Sequence, residues 1–146
     1  MKKFWIILLA IAAITIVVFV WNRDVVRYTY TYIGETELWT AELVGEGKWI
    51  FRDQGDFTNV KTDGYYQMTI LYKGKLSDLN ALDRFQVGYD AGSLGGSSLE
   101  IKGEWIDEKQ FVFERFVGME AGKDALVTVT VDMDEEVENF ELKKVE

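Results

Sequence analysis

Two hydrophobic patterns divide this chain. Phe4 to Trp21 is an apolar run of eighteen residues in which only Thr15 is polar and none is charged. As a helix rising about 1.5 Å per residue it is roughly 27 Å long, close to the roughly 30 Å hydrocarbon core of a bilayer. Phe4, Trp5 and Trp21 stand at its two ends, and tryptophan rings favour the lipid headgroup level there. The pattern predicts a short start and membrane anchor over residues 1–22, with Phe4, Trp5 and Trp21 as its interfacial side chains.

From Val25 onward the period changes to two, the signature of strands with one buried face. Val26, Tyr28, Tyr30 and Tyr32 alternate with Arg27, Thr29 and Thr31, and Trp39, Ala41 and Leu43 with Thr40 and Glu42. Trp49 and Phe51 keep that parity across Gly45-Glu46-Gly47, which reads as a tight turn or a bulge. Further alternations run through Tyr66 to Tyr72, Phe85 to Tyr89, Leu99 to Trp105, Val127 to Val131, and Phe140 with Leu142. Phe111 to Val117 is more continuously apolar, as expected of a central strand.

Turn-forming clusters separate these runs, among them Asp53 to Asp56, Asp63-Gly64, Lys73-Gly74-Lys75, Gly92 to Ser98, Gly118 to Asp124 and Asp132 to Glu136. Only Ser77 to Asp83 reads as helical, with Ser77 as cap and Leu79 and Leu82 facing the sheet. Short strands with frequent turns predict one mainly β domain over residues 23–146. The expected architecture is an antiparallel two-sheet β-sandwich of immunoglobulin-like kind, the alternative an open β-barrel.

Val18-Phe19-Val20 and Trp21 offer no small residues for a signal peptidase. Ala10-Ile11-Ala12 fits the small-residue rule but lies mid-run, so the run reads as a retained anchor rather than a cleaved signal. Lys2 and Lys3 ahead of it favour a cytoplasmic N-terminus and an extracytoplasmic C-terminal domain. Asn22 to Asp24 are the whole connection to the first strand, a span of at most about 10 Å. The expected setting is therefore a single-pass protein of the cell membrane, its β-domain close to the bilayer. Residues 23–146 carry all the acidic residues and all the basic ones except Lys2 and Lys3, for a formal charge of −11. Such a domain lacks the basic footprint that nucleic-acid binding requires. With no cysteine in the chain, packing alone must hold the domain together.

The stretch Gly34-Glu35-Thr36-Glu37-Leu38-Trp39 resembles the Gly-Glu-Ser-Glu-Asn-Trp opening of small exported proteins of Gram-positive bacteria, many of them lipoproteins or membrane-anchored. Leu71 to Leu79 is similar to their Tyr-x-Gly-x-Leu-x-x-Leu stretch, and Gly95-Gly96-Ser97-Ser98 and Phe140-Glu141-Leu142-Lys143 also fit. The chain departs from the lipoprotein members in having no cysteine to carry the lipid. The resemblance implies a β-domain at the cell surface and brings no catalytic residues with it.

Candidate chemistry is sparse. Without histidine or cysteine the Ser-His-Asp and Cys-His arrangements and nearly all zinc sites are excluded. Asp132, Asp134, Glu135 and Glu136 crowd four carboxylates together and are the candidate calcium ligands. Calcium takes six to eight oxygens in a defined loop, which this spacing does not match, so a solvated hairpin turn is the plainer account. Asp53, Asp56, Asn59 and Asp63 form a second such group. Glu100 with Glu104 could serve a glycosidase, and Ser97 or Ser98 with Lys102 a Ser-Lys dyad. Each needs partners on the apolar face that the alternation places on the polar one. No enzyme activity, cofactor or metal is expected.

The aromatics fall mainly on the apolar parity of their strands and read as core. Tyr65 and Tyr66 are adjacent and must point to opposite faces, which makes them the candidate exposed binding aromatics. The expected function is a membrane-tethered, non-catalytic interaction or accessory module that meets another membrane or cell-surface protein. The alternatives are a carbohydrate or wall-polymer binding domain and, after that, a carboxylate hydrolase.

Overall fold

The computed structural model describes residues 14–16, 25–53, 58–102, 105–117, 125–134 and 136–145. Eight strands form one antiparallel sheet: β1 (Val25–Glu35), β2 (Trp39–Asp53), β3 (Thr58–Tyr72), β4 (Arg84–Asp90), β5 (Gly96–Lys102), β6 (Gln110–Val117), β7 (Val127–Met133) and β8 (Glu136–Val145). Their order is β5-β4-β7-β8-β1-β2-β3-β6. The sheet curls until its edges β5 and β6 approach, so the architecture is a nearly closed barrel and not the expected two-sheet sandwich. The physical reason is the β8–β1 junction, where Ile33 to Thr31 pair with Lys143 to Val145. That ladder joins what would have been two sheets into one and lets a single curved face enclose the core.

No helix among the described residues is long and apolar enough to cross a membrane. The anchor expected over residues 4–21 lies outside the described residues apart from 14–16, a helical turn whose Ile14 and Ile16 are exposed. Phe4, Trp5 and Trp21 are likewise outside them.

The period-two reading of the strands is visible in the burial. Tyr30, Tyr32, Trp39, Ala41, Leu43, Tyr66, Met68, Ile70 and Tyr72 face inward from β1, β2 and β3, and Phe85, Val87, Val127, Val129, Val131 and Leu142 meet them from the other wall. At one end, hereafter the upper end, Trp39 is fully buried against Tyr72 at 4.8 Å and stacks on Phe85 at 6.0 Å. Phe85 in turn touches Phe111 at 5.2 Å. Four strands that are not all neighbours thus share one aromatic cluster, which spans the barrel and fixes its width.

Several local expectations differ. Gly45-Glu46-Gly47 is neither turn nor bulge; β2 runs straight through it. Tyr30 pairs with Gly45 and Tyr28 with Gly47, and each ring lies over its glycine so closely that a Cβ would overlap it. The glycines are therefore seats for aromatic rings on the inner face. Asp63-Gly64 also lies inside a strand, paired with Lys48 and Gly47 of β2. Gly92 to Ser98 holds a 3₁₀ turn at Gly92–Leu94 and the start of β5, with Leu94 buried in the core.

Phe111 to Val117 belongs to β6, an edge strand paired only with β3 among the described residues. Its apolar outer positions Val112 and Phe116 face solvent, which is why the run looked central. The predicted helix shortens to α1 (Leu76–Leu79), with Lys75 at its N-cap and Ser77 donating to Asp78 rather than capping.

Candidate functional site

Beyond β5 the chain crosses the upper end of the barrel to reach β6, and this crossing carries the most exposed tryptophan described. Trp105 is 78% exposed. Parity along Leu99, Ile101 and Gly103 places it in the core; instead β5 ends at Lys102 and the alternation stops before Trp105. The next residue, Ile106, is buried and inserts where Trp105 was expected.

The crossing is fastened on both flanks. Asn80, just past α1, uses its whole side-chain amide on Ile106: Nδ2 donates to the Ile106 carbonyl and Oδ1 accepts from the Ile106 N–H, both at 2.8 Å. The same Nδ2 reaches Leu76 O at 3.2 Å. Nearer β6, Tyr72 N donates to Lys109 O at 2.9 Å and Lys109 Nζ to Gly74 O at 2.9 Å. Trp105 is thus presented by backbone that helix, strand and turn hold in place. Asp107 and Glu108 follow Trp105 in the crossing and are exposed, as is Asp78 on α1, while Lys109 and Lys75 stand in the same crossing and turn. Among them Asp78, after burial itself, contributes to pushing the Tyr72 hydroxyl above its ordinary pKa.

A second exposed aromatic feature lies low on the outer face of β3 and β6. Tyr65 pairs with Phe116 across the strands, with ring centroids 5.3 Å apart, and Phe116 is 83% exposed. Arg27, Thr29, Glu46, Lys48 and Asp63 line the shallow groove beside them. The Tyr65 hydroxyl reaches Gln67 Oε1 at 3.4 Å, and partial burial together with a hydrogen bond to Glu114 raises its pKa.

Of the expected pair, only Tyr65 belongs to this surface. Tyr66 is fully buried; its hydroxyl donates to Leu94 O at 3.2 Å and accepts from the Tyr89 hydroxyl at 3.0 Å. Burial, then this bond, raises the Tyr89 pKa. Tyr66 is accordingly a core residue that helps draw the β4–β5 turn against β3.

The remaining candidates are held by partners of their own. Asp132 pairs with the Arg84 guanidinium and Asp134 Oδ1 accepts from Arg84 N at 2.7 Å, so a single arginine separates and engages both. Asp134 has φ +55 at the β7–β8 turn; Glu136 opens β8, and Glu135 is outside the described residues. Among the described residues no three acidic side chains gather in a metal-holding group. Asp63 faces Lys48 at 3.5 Å, away from any carboxylate cluster, and Asp56 is not described. Glu100 receives Lys102 at 3.0 Å and Arg84 at 3.8 Å. Lys102 therefore turns to Glu100, while Ser97 and Ser98 lie exposed on the edge strand.

Compared with protein-family models, with curated proteins and with solved structures, the chain matches none. Among the described residues Trp105 and the Tyr65–Phe116 pair stand out as exposed aromatic features. Tyr65 was legible from its adjacency to Tyr66. Phe116 and Trp105 were not, because alternation assigns a face but does not reveal whether a second wall covers it.

Proposed function

We propose that the chain is a membrane-tethered interaction module whose β-domain presents Trp105 to a protein partner. The observation that carries this reading is the pinned, exposed Trp105. Exposed tryptophans on rigid backbone are the commonest energetic anchors of protein interfaces, since little side-chain entropy is lost on binding. Asp107 and Glu108, which follow it in the crossing, fit a partner with basic residues around an apolar pocket. Placement at the upper end agrees with a tether at the other one: β1 begins at the lower end, three residues after the apolar run of residues 4–21. The partner is then another membrane or cell-surface protein meeting the domain from the side away from its own anchor.

Crosslinking in the native membrane, followed by identification of what copurifies, tests this. Trp105→Ala is expected to lose the specific partner while keeping the wild-type melting temperature, because the side chain is nearly free of packing. Undiminished capture by Trp105→Ala overturns the assignment.

The Tyr65–Phe116 pair favours a second reading, a surface that stacks on sugar rings of a wall polymer, with Asp63, Lys48 and Glu46 as nearby hydrogen-bonding groups. Glycan binding abolished by Phe116→Ala and untouched by Trp105→Ala would select it over the first.

A further inference from the structure

The lower end of the barrel is a different object from the upper. Below Thr31, β1 has no β8 partner, and below Gly64, β3 has no β6 partner, among the described residues. What continues is a three-stranded ribbon of residues 25–30, 45–53 and 58–63. Its inner face carries on the apolar parity of the core through Val26, Tyr28, Trp49, Phe51 and Val60. Among the described residues no opposite wall covers it, and Val26 is 45% and Val60 50% exposed. Trp49 lies between Tyr28 at 5.5 Å and Phe51 at 6.4 Å, so the rings form one continuous apolar surface open to the outside.

Chain direction and charge indicate what covers that surface. β1 enters the ribbon at Val25, opposite Ile50, and β2 runs on past Ile50 by three residues to Asp53. Three strand residues extend about 10 Å, the most that Asn22 to Asp24 can span. The ribbon therefore extends past the start of β1 by about as much as Asn22 to Asp24 can span. Residues 25–30, 45–53 and 58–63 hold four basic and three acidic residues. The ribbon carries a formal charge of +1, and the remainder of the domain carries −12. Arg27 and Lys61 are exposed on the ribbon, available to lipid phosphates.

We propose that the lower part of this ribbon lies in the headgroup layer of the lipid bilayer, with Val26, Trp49, Phe51 and Val60 as its lipid-facing side chains. The inference rests on the reading that residues 4–21 cross the membrane, and it adds a second contact that fixes the tilt of the barrel. Tryptophan and phenylalanine suit this layer, and a ribbon of charge +1 avoids the repulsion that an anionic leaflet exerts on the acidic remainder.

Because the chain has no cysteine, one introduced cysteine gives one spin label. Full-length Val60→Cys, Val26→Cys, Val112→Cys and Ile14→Cys are reconstituted in phosphatidylcholine–phosphatidylglycerol vesicles. Collisions with oxygen, which concentrates in lipid, are compared with those of a water-soluble nickel chelate. Labels at Val60 and Val26 are expected to favour oxygen several-fold more than the label at Val112, which is exposed on the outer face of β6. If they match Val112 while Ile14 reads as lipid, the ribbon contact is wrong and the anchor stands. If Ile14 reads as water, the anchor falls and the proposal with it. Protection of Val60 and Val26 from both reagents means that protein covers the patch, which also overturns it.

Discussion

The upper half of the barrel and the ribbon below it are made from the same three strands with the same alternation, yet one is core and the other surface. Trp39 and Trp49 show the contrast, since both lie on the inner parity of β2. Trp39 meets Tyr72, Phe85 and Phe111 from three other strands and is fully buried. Among the described aromatic rings Trp49 meets Tyr28 and Phe51, both from its own layer. The difference arises from strand offset. β4, β5, β7 and β8 wall off the upper part of β1–β3 and stop short of the lower part. An inward-facing side chain becomes core only where a second wall reaches it.

The largest test of this contrast replaces each tryptophan in turn. Trp39→Ala is expected to cost about 3–5 kcal/mol, as for large aromatic truncations in a packed core, and Trp49→Ala about 1 kcal/mol, nearer the middle of ordinary substitutions. Urea denaturation followed by far-ultraviolet circular dichroism measures both. Equal losses would mean that the ribbon is as well packed as the barrel.

Next in size is Gly45→Ala. The new methyl must displace the Tyr30 ring, an overpacking expected to cost about 1–3 kcal/mol. Tyr30→Ala removes the obstacle, so the double variant should lose less than the sum of the two single ones. Strict additivity would break the account of the glycine as a ring seat.

A smaller effect comes with alkaline pH. Tyr72 and Tyr89 have pKa values raised by burial, so their neutral forms are favoured in the folded state. That contribution is fully present below the unfolded tyrosine value of about 10. It is lost as pH rises from there through the folded values. Stability should therefore fall beyond about pH 10, and less steeply in Tyr89→Phe, which has one hydroxyl fewer to ionise. A decline of unchanged steepness in that variant would remove Tyr89 from the explanation.

The smallest expected effect is that of Lys48→Ala in the ribbon. It breaks an exposed pair with Asp63 and should stay within about 0.5 kcal/mol. A greater loss in thermal unfolding would mean that the ribbon depends on its charges.

Much of this fold was legible in the alternation, because each strand's apolar parity follows directly from the pleat. Tyr28 to Tyr32, Trp39 to Leu43, Tyr66 to Tyr72 and Val127 to Val131 were all placed on the inner face. Long-range pairing was hidden. Nothing local in Thr31 or Val145 announces that they are partners, and that ladder decides between sandwich and barrel. Glycine misled for a related reason: Gly45 and Gly47 signal a turn when read alone, and a ring seat once Tyr30 and Tyr28 are opposite. The exposed Trp105 was hidden because β5 ends at Lys102, ahead of it, and Ile106 is the buried residue of the pair. Tyr65 was found because adjacency within a strand forces opposite faces. Its ring partner Phe116 depended on the edge position of β6, which the composition of that strand disguised.

The β8–β1 ladder also imposes an order on the making of the molecule. β1 is the first strand to be synthesised and the ladder's other half is the last, so β1 holds one side unpaired while almost the entire domain is still to come. The β1–β2–β3 meander can form from neighbours in sequence, but the sheet cannot become continuous until Lys143 to Val145 arrive. A nascent chain lacking them leaves β1 unpaired on the side where β8 will join, although Glu136 to Leu142 can already pair with β7. The strand that fits there can come from a second copy as well as from its own chain. Completion of the barrel is therefore a late event, and it makes the last strand the step at which monomer and strand-exchanged dimer part ways.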